Sequence, residues 1–137
     1  MNVRLLSTDP RVHETPLLVL PIFEGAESVG ALAASLDEQL GGALARAFAS
    51  GDVRGRAGDS VIAYRDDKGS GPRRVLLLGA GKREKLDAEQ VRRLVGRAVR
   101  AAEKLGVTRI TVRVEDAAGL GEERLAQSAG ELSLIHI

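Results

Sequence analysis

A chain of 137 residues, 28% charged with a formal net charge of +1, is long enough for one domain with a sizeable core. It offers no bulk electrostatic attraction to nucleic acid or an anionic membrane, which leaves only a local patch to bind either. The absence of cysteine excludes disulfides, thiolate metal sites and a cysteine nucleophile. Aromatic residues make up 2% (Phe23, Phe48 and Tyr64), so the core must be aliphatic, and a base-stacking platform for single-stranded nucleic acid is disfavoured. The opening MNVRLLSTDP is too short and too polar for a secretory apolar region. No apolar run approaches the about 18 residues of a membrane span, so the expected location is the cytoplasm.

In chain order, Asn2–Leu6 reads as a short strand and Ser7–Thr15 as a polar loop. Leu17–Phe23, LLVLPIF, is continuously apolar, as suits a strand covered on both faces; Pro21 is expected to end or bulge it. Val29, Leu32, Ala33, Leu36 and Leu40 recur at helical spacing, with Ser28 available as N-cap. Gly41-Gly42 interrupts that helix, and Ala43–Ala49 forms a second piece that stops at Ser50-Gly51. DVRGRAGD, from Asp52 to Asp59, is a turn-rich connection. Ser60–Tyr64 is a strand, Asp66–Pro72 a loop, and Arg74–Leu78 a fully apolar strand that runs into a tight glycine turn.

Asp87 and Gln90 make a capping pair for a long helix. That helix carries an apolar stripe (Val91, Leu94, Ala98, Ala101, Leu105) and a basic stripe (Arg93, Arg97, Arg100, Lys104), and Gly106 closes it. Val107–Val114 alternates apolar with polar residues, which predicts an edge or half-exposed strand. Glu115–Gly121 reads as a loop and Glu122–Leu132 as a final helix. This alternation of strands and helices predicts an α/β sandwich with a mainly parallel or mixed sheet.

No segment carries a complete chemical motif. Gly79-Ala80-Gly81-Lys82 invites a phosphate-loop reading, but Leu76 stands where a Walker loop needs its first glycine, and Arg83 where it needs a hydroxyl. Glu84 occupies the third glycine of a dinucleotide fingerprint, where a carboxylate opposes a pyrophosphate. A plain strand-to-helix connection is the better reading. The basic stripe is a candidate surface for phosphates, yet Glu89 and Glu103 partly neutralise it, as on an ordinary solvated helix face.

His13 beside Glu14 and near Asp9 is too little for a metal site. The acidic pairs Asp66-Asp67, Glu115-Asp116 and Glu122-Glu123 lie in loops or at a helix start, with nothing to fix a catalytic distance. No catalytic, cofactor-binding or metal-ligating residue is therefore assigned.

Three segments, in order and at matching spacing, resemble the N-terminal domain of the leucyl (cytosol) aminopeptidase family. The first is LLVLPIFEG with Leu36-Asp37 and Leu40-Gly41-Gly42-Ala43-Leu44. The second is Ala49–Asp59, similar to the family's SGDFKGKAGE connection, with Val53 for its phenylalanine and Asp59 for its glutamate. The third is Arg74–Leu86, similar to RVLLVGLGKREKL, with Ala80 in the middle of the turn.

The resemblance covers about Leu17 to Val114. It implies a macro-like three-layer sandwich, a mixed sheet flanked by helices, over 1–131. That domain would help organise a hexamer and position a separate catalytic domain, in which two divalent metals (zinc or manganese) activate water against the first peptide bond. The family's Asn-Thr-Asp-Ala-Glu-Gly-Arg-Leu hallmark and its preceding lysine motif have no counterpart here, so no catalytic residue carries over, and this polypeptide is expected to be inactive alone. Residues 132–137, at the end of ELSLIHI, are expected to be a non-native tail of a truncated gene, with a genuine final strand as the competing reading. The alternative functions are DNA binding through the Arg93–Lys104 face and nucleotide or ADP-ribose binding, as in macro-like folds elsewhere.

Overall fold

The computed structural model describes residues 4–6, 14–65, 71–114 and 133–136. Among these, β1 (Arg4–Leu6), β2 (Leu18–Phe23), β3 (Ser60–Tyr64), β4 (Arg74–Gly81), β5 (Thr111–Val114) and β6 (Ser133–His136) form one sheet in the order β1-β6-β5-β2-β4-β3. Strand β2 runs parallel to β4 and β5, β3 lies antiparallel on β4, and β6 lies antiparallel on both β5 and β1. The expected α/β fold with a mixed sheet is thus what forms.

The apolar run at β2 is continuous because both its faces are covered. Leu18, Leu20 and Ile22 pack with Val75 and Leu77 of β4 against α1 (Ala31–Asp37) and α2 (Ala43–Ser50). Leu17, Val19, Leu76 and Leu78 pack on the other face against Leu94, Ala98 and Ala102 of α3 (Ala88–Leu105). Val53 is fully buried in the first of these cores, so the position where the family carries phenylalanine still supplies apolar volume.

Pro21 does not end β2. It pairs with Leu78, and the register shift comes later, between Ile22 and Phe23. The Leu17 carbonyl accepts from the Thr111 N–H, so odd-numbered positions of β2 turn their backbone groups toward β5. Pairing with β5 stops at Val19, and Pro21 therefore lacks its N–H where no ladder bond is required.

Helix α1 also starts later than its periodicity suggests. Gly30, with φ +98°, stands at the N-cap without a side-chain cap, and Ser28 Oγ accepts from the Gly30 N–H at 3.2 Å instead. Helix α3 follows the sequence closely: Asp87 Oδ1 accepts from the Gln90 N–H at 2.8 Å, and Gly106 ends it at φ +74°.

Strand β5 is not at an edge, because β2 and β6 flank it. Its polar-looking Thr111 is fully buried: the hydroxyl donates to Thr15 Oγ1 (3.0 Å), and the Thr15 hydroxyl donates to the Leu17 carbonyl (3.3 Å). Alternation of polar and apolar side chains signals exposure only when the polar ones lack internal partners. Within the segment expected as a tail, Ser133–His136 is a strand, the conformation of the competing reading. The expected helix over 122–132 and the loop at 115–121 lie outside the described residues, as do most of the loops at 7–15 and 66–72.

Candidate functional site

The glycine segment is built as strand, not as a turn. β4 continues through Gly79 to Gly81, and helix α3 begins only at Ala88, after a 3-10 turn at Arg83–Lys85. The cause is non-local: the 51–59 connection lies directly on this strand end. Gly79 N–H donates to the Asp59 carbonyl (2.9 Å) and Gly81 N–H to the Gly55 carbonyl (2.8 Å). Both glycine N–H groups that a phosphate loop would offer are therefore already committed.

Gly55 is squeezed in the same junction. A Cβ there would stand 2.3 Å from the Phe23 carbonyl, and its φ is +95°. This is the close backbone approach for which glycine is required.

Asp59 locks the connection. Its Oδ2 accepts from the N–H of Arg54 (2.8 Å) and of Arg56 (3.2 Å), and from Arg56 Nε (3.3 Å). The backbone bond from Arg54 is the main cause that holds its carboxyl below the ordinary carboxylate range; burial opposes it, and the contacts from Arg56 add to the lowering. A carboxyl with a lowered pKa in the folded state contributes stability above its unfolded pKa, and that contribution is lost as pH falls through the folded value. Asp59→Asn is therefore expected to lower Tm at neutral pH, with the gap to wild type closing once pH drops below the ordinary carboxylate value of 3.8. Thermal melts of both proteins across that range check it; a gap of constant size would show that the carboxylate charge contributes nothing.

The basic stripe of α3 is divided in space. Arg97 is half-buried and reaches inward: Nη1 donates to the Gly79 carbonyl (2.8 Å) and Nη2 to the Asp59 carbonyl (3.0 Å). Arg93 pairs with Glu89 at 3.3 Å. Arg97 thus clamps helix, strand and connection together and cannot serve the proposed DNA face, which keeps Arg93, Arg100 and Lys104 exposed.

Two concavities flank the strand ends. At the C-terminal end of β2, an open cleft of about 320 Å³ is lined by Phe23, Glu24, Val29, Arg83 and Arg113, among others, and the Arg83 guanidinium lies 4.0 Å above the Phe23 ring. This end of a parallel sheet is where α/β folds commonly place ligands. At the opposite, N-terminal end of β2 and β4, a cavity of about 530 Å³ is lined by Glu14, Thr15, Arg65, Arg73, Arg74 and Arg109.

No local pattern marks this arginine cluster, because Arg65 follows β3, Arg73 and Arg74 lie at the start of β4 and Arg109 precedes β5, so the three places meet only through the sheet. His13 and the pairs Asp66-Asp67, Glu115-Asp116 and Glu122-Glu123 lie outside the described residues. Among the described residues, no three or more His, Cys, Asp or Glu side chains are grouped to hold a metal ion, and no helix is long and apolar enough to cross a membrane.

The architecture is that of an α/β domain whose described residues frame no catalytic constellation. Residues 19–134 match the model of the cytosol aminopeptidase family, N-terminal domain, and the chain belongs to that family. It is 30% identical over 128 residues to a "Probable cytosol aminopeptidase" of Stutzerimonas stutzeri, an alignment covering 93% of this chain and 25% of that protein. It is 33% identical over 106 residues to the protein of the same name from Azotobacter vinelandii, covering 77% of this chain and 21% of the relative. A Cyanothece protein of that name is 33% identical over 104 residues, 76% of this chain and 21% of the relative. The chain thus spans about a quarter or less of the length of these relatives.

Proposed function

We propose that this chain is the non-catalytic N-terminal domain of a metal-dependent leucyl aminopeptidase of the cytoplasm. Its work is to build the oligomer, a hexamer, and to hold a catalytic domain that removes N-terminal amino acids from peptides. One observation carries the reading: the match to the family's N-terminal domain runs over 19–134, while the alignments reach only about a quarter of the relatives' length.

A two-metal peptide hydrolase needs clustered carboxylates to hold both cations and polarise the scissile carbonyl. In this proposal the two divalent metals, zinc or manganese, belong to the catalytic domain. The purified 137-residue chain is expected to release no p-nitroaniline from leucyl-p-nitroanilide with either metal added. Metal-dependent turnover that survives repurification would overturn the assignment. Sedimentation velocity tests the assembly role, which predicts species larger than the 14.5 kDa monomer at high concentration.

A further inference from the structure

The cavity at the N-terminal ends of β2 and β4 carries a function that the proposed assembly role does not use. Its described lining brings four guanidinium groups, Arg65, Arg73, Arg74 and Arg109, against one carboxylate, Glu14. Among the described residues, no ion pair engages Arg73, Arg74 or Arg109. Arg73 and Arg109 are exposed at the mouth.

Arg74 is held in place. Its Nη1 donates to the Pro16 carbonyl at 3.4 Å, its guanidinium stands 5.8 Å from the centroid of the Tyr64 ring, and its buried Nε has no hydrogen-bond partner. Arg65 is fixed alongside through Nη1 to the Pro72 carbonyl at 3.1 Å. Like charges converged on one concavity repel each other, and a buried donor without a partner is costly, so the arrangement is relieved by an anion.

We infer that this cavity is a binding site for a pyrophosphate group. Planar guanidinium forks match phosphate oxygens in pairs, and several fixed arginines favour a ligand that spreads several negative charges over a few ångströms above a monocarboxylate. A volume of about 530 Å³ admits a diphosphate with room for a substituent. The site lies at the opposite end of the parallel strands from the cleft beside Phe23, so it is independent of any ligand bound there.

Isothermal titration calorimetry of the intact chain with inorganic pyrophosphate at low ionic strength tests the inference. Binding is expected, with orthophosphate and sulfate markedly weaker. The double variant Arg73→Gln/Arg109→Gln removes two exposed side chains that have no side-chain partner among the described residues, so the fold should survive; affinity should fall about tenfold or more. A control pair on the outer face of α3, Arg92→Gln/Arg93→Gln, should leave it unchanged. ADP distinguishes the source of the group: tighter binding than pyrophosphate assigns the site to a nucleotide, and equal binding to the diphosphate alone. The inference is overturned if pyrophosphate gives no binding, if sulfate binds as well, or if the control pair weakens binding as much as the cavity pair.

Discussion

Gly79→Ala is expected to cost on the order of 4 kcal/mol, a large share of the about 5–15 kcal/mol by which a domain is stable. The added Cβ would stand 2.0 Å from the Arg56 carbonyl oxygen and 2.9 Å from the Arg56 and Gly55 carbonyl carbons. All three obstacles are backbone, so no side chain can swing aside. Relief requires the 51–59 connection to lift from β4, which breaks the bonds from Gly79 to Asp59 and from Gly81 to Gly55 and pulls the Asp59 carbonyl away from Arg97.

Gly96→Ala in the middle of α3 is the matched control. Its new Cβ would meet nothing closer than Arg100 Nη1 at 3.6 Å, a flexible end. Helix propensity should therefore raise stability by about 0.5–1 kcal/mol. Urea unfolding of both variants decides the matter, and a Gly79→Ala protein within about 1 kcal/mol of wild type would refute the junction as described.

The second large effect is expected at Asp37. This carboxylate is 5% exposed and sits at the end of α1, yet it caps α2 across the Gly41-Gly42 break. Oδ1 accepts from the Leu44 N–H at 2.8 Å and Oδ2 from the Ala45 N–H at 3.0 Å, while the Asp37 carbonyl accepts from the Gly42 N–H at 3.0 Å. Both glycines are left-handed, at φ +70° and +78°, which lets the chain reverse tightly enough for one side chain to reach the next helix.

Asp37→Ala strands two backbone donors beside a fully buried Leu44, at a cost of about 2–4 kcal/mol. Asp37→Asn should fall between, since its amide offers one acceptor oxygen and turns a donor toward the other N–H. Equal stability of wild type and the alanine variant in chemical denaturation would show that α2 needs no cap.

Asp37 and the double glycine belong to the first segment of family resemblance, and Gly79 to the third. Their role in this chain is architectural: one makes a helix-to-helix cap, the other admits a connection onto a strand. The basic helix face illustrates the converse. Four cations at helical spacing read as one stripe along the chain, but Arg97 alone of them is half-buried, with Nη1 and Nη2 both on backbone carbonyls.

Features governed by near neighbours were legible in the chain. Both faces of LLVLPIF are apolar, so its burial on two sides followed from the side chains alone. Asp87 and Gly106 bound α3 because a cap bond spans three residues and a left-handed stop needs one glycine.

Features made by distant segments were not. Burial of β5 depends on β6 beside it and on a threonine pair 96 residues apart in sequence. The straightness of the glycine segment depends on a connection some twenty residues earlier. The arginine cavity depends on four side chains brought together by strand order, which periodicity does not encode. Local patterning carries the free energy of helix caps and strand faces; which cations meet, and which glycines touch backbone, is set by contacts that exist only once the sheet has closed.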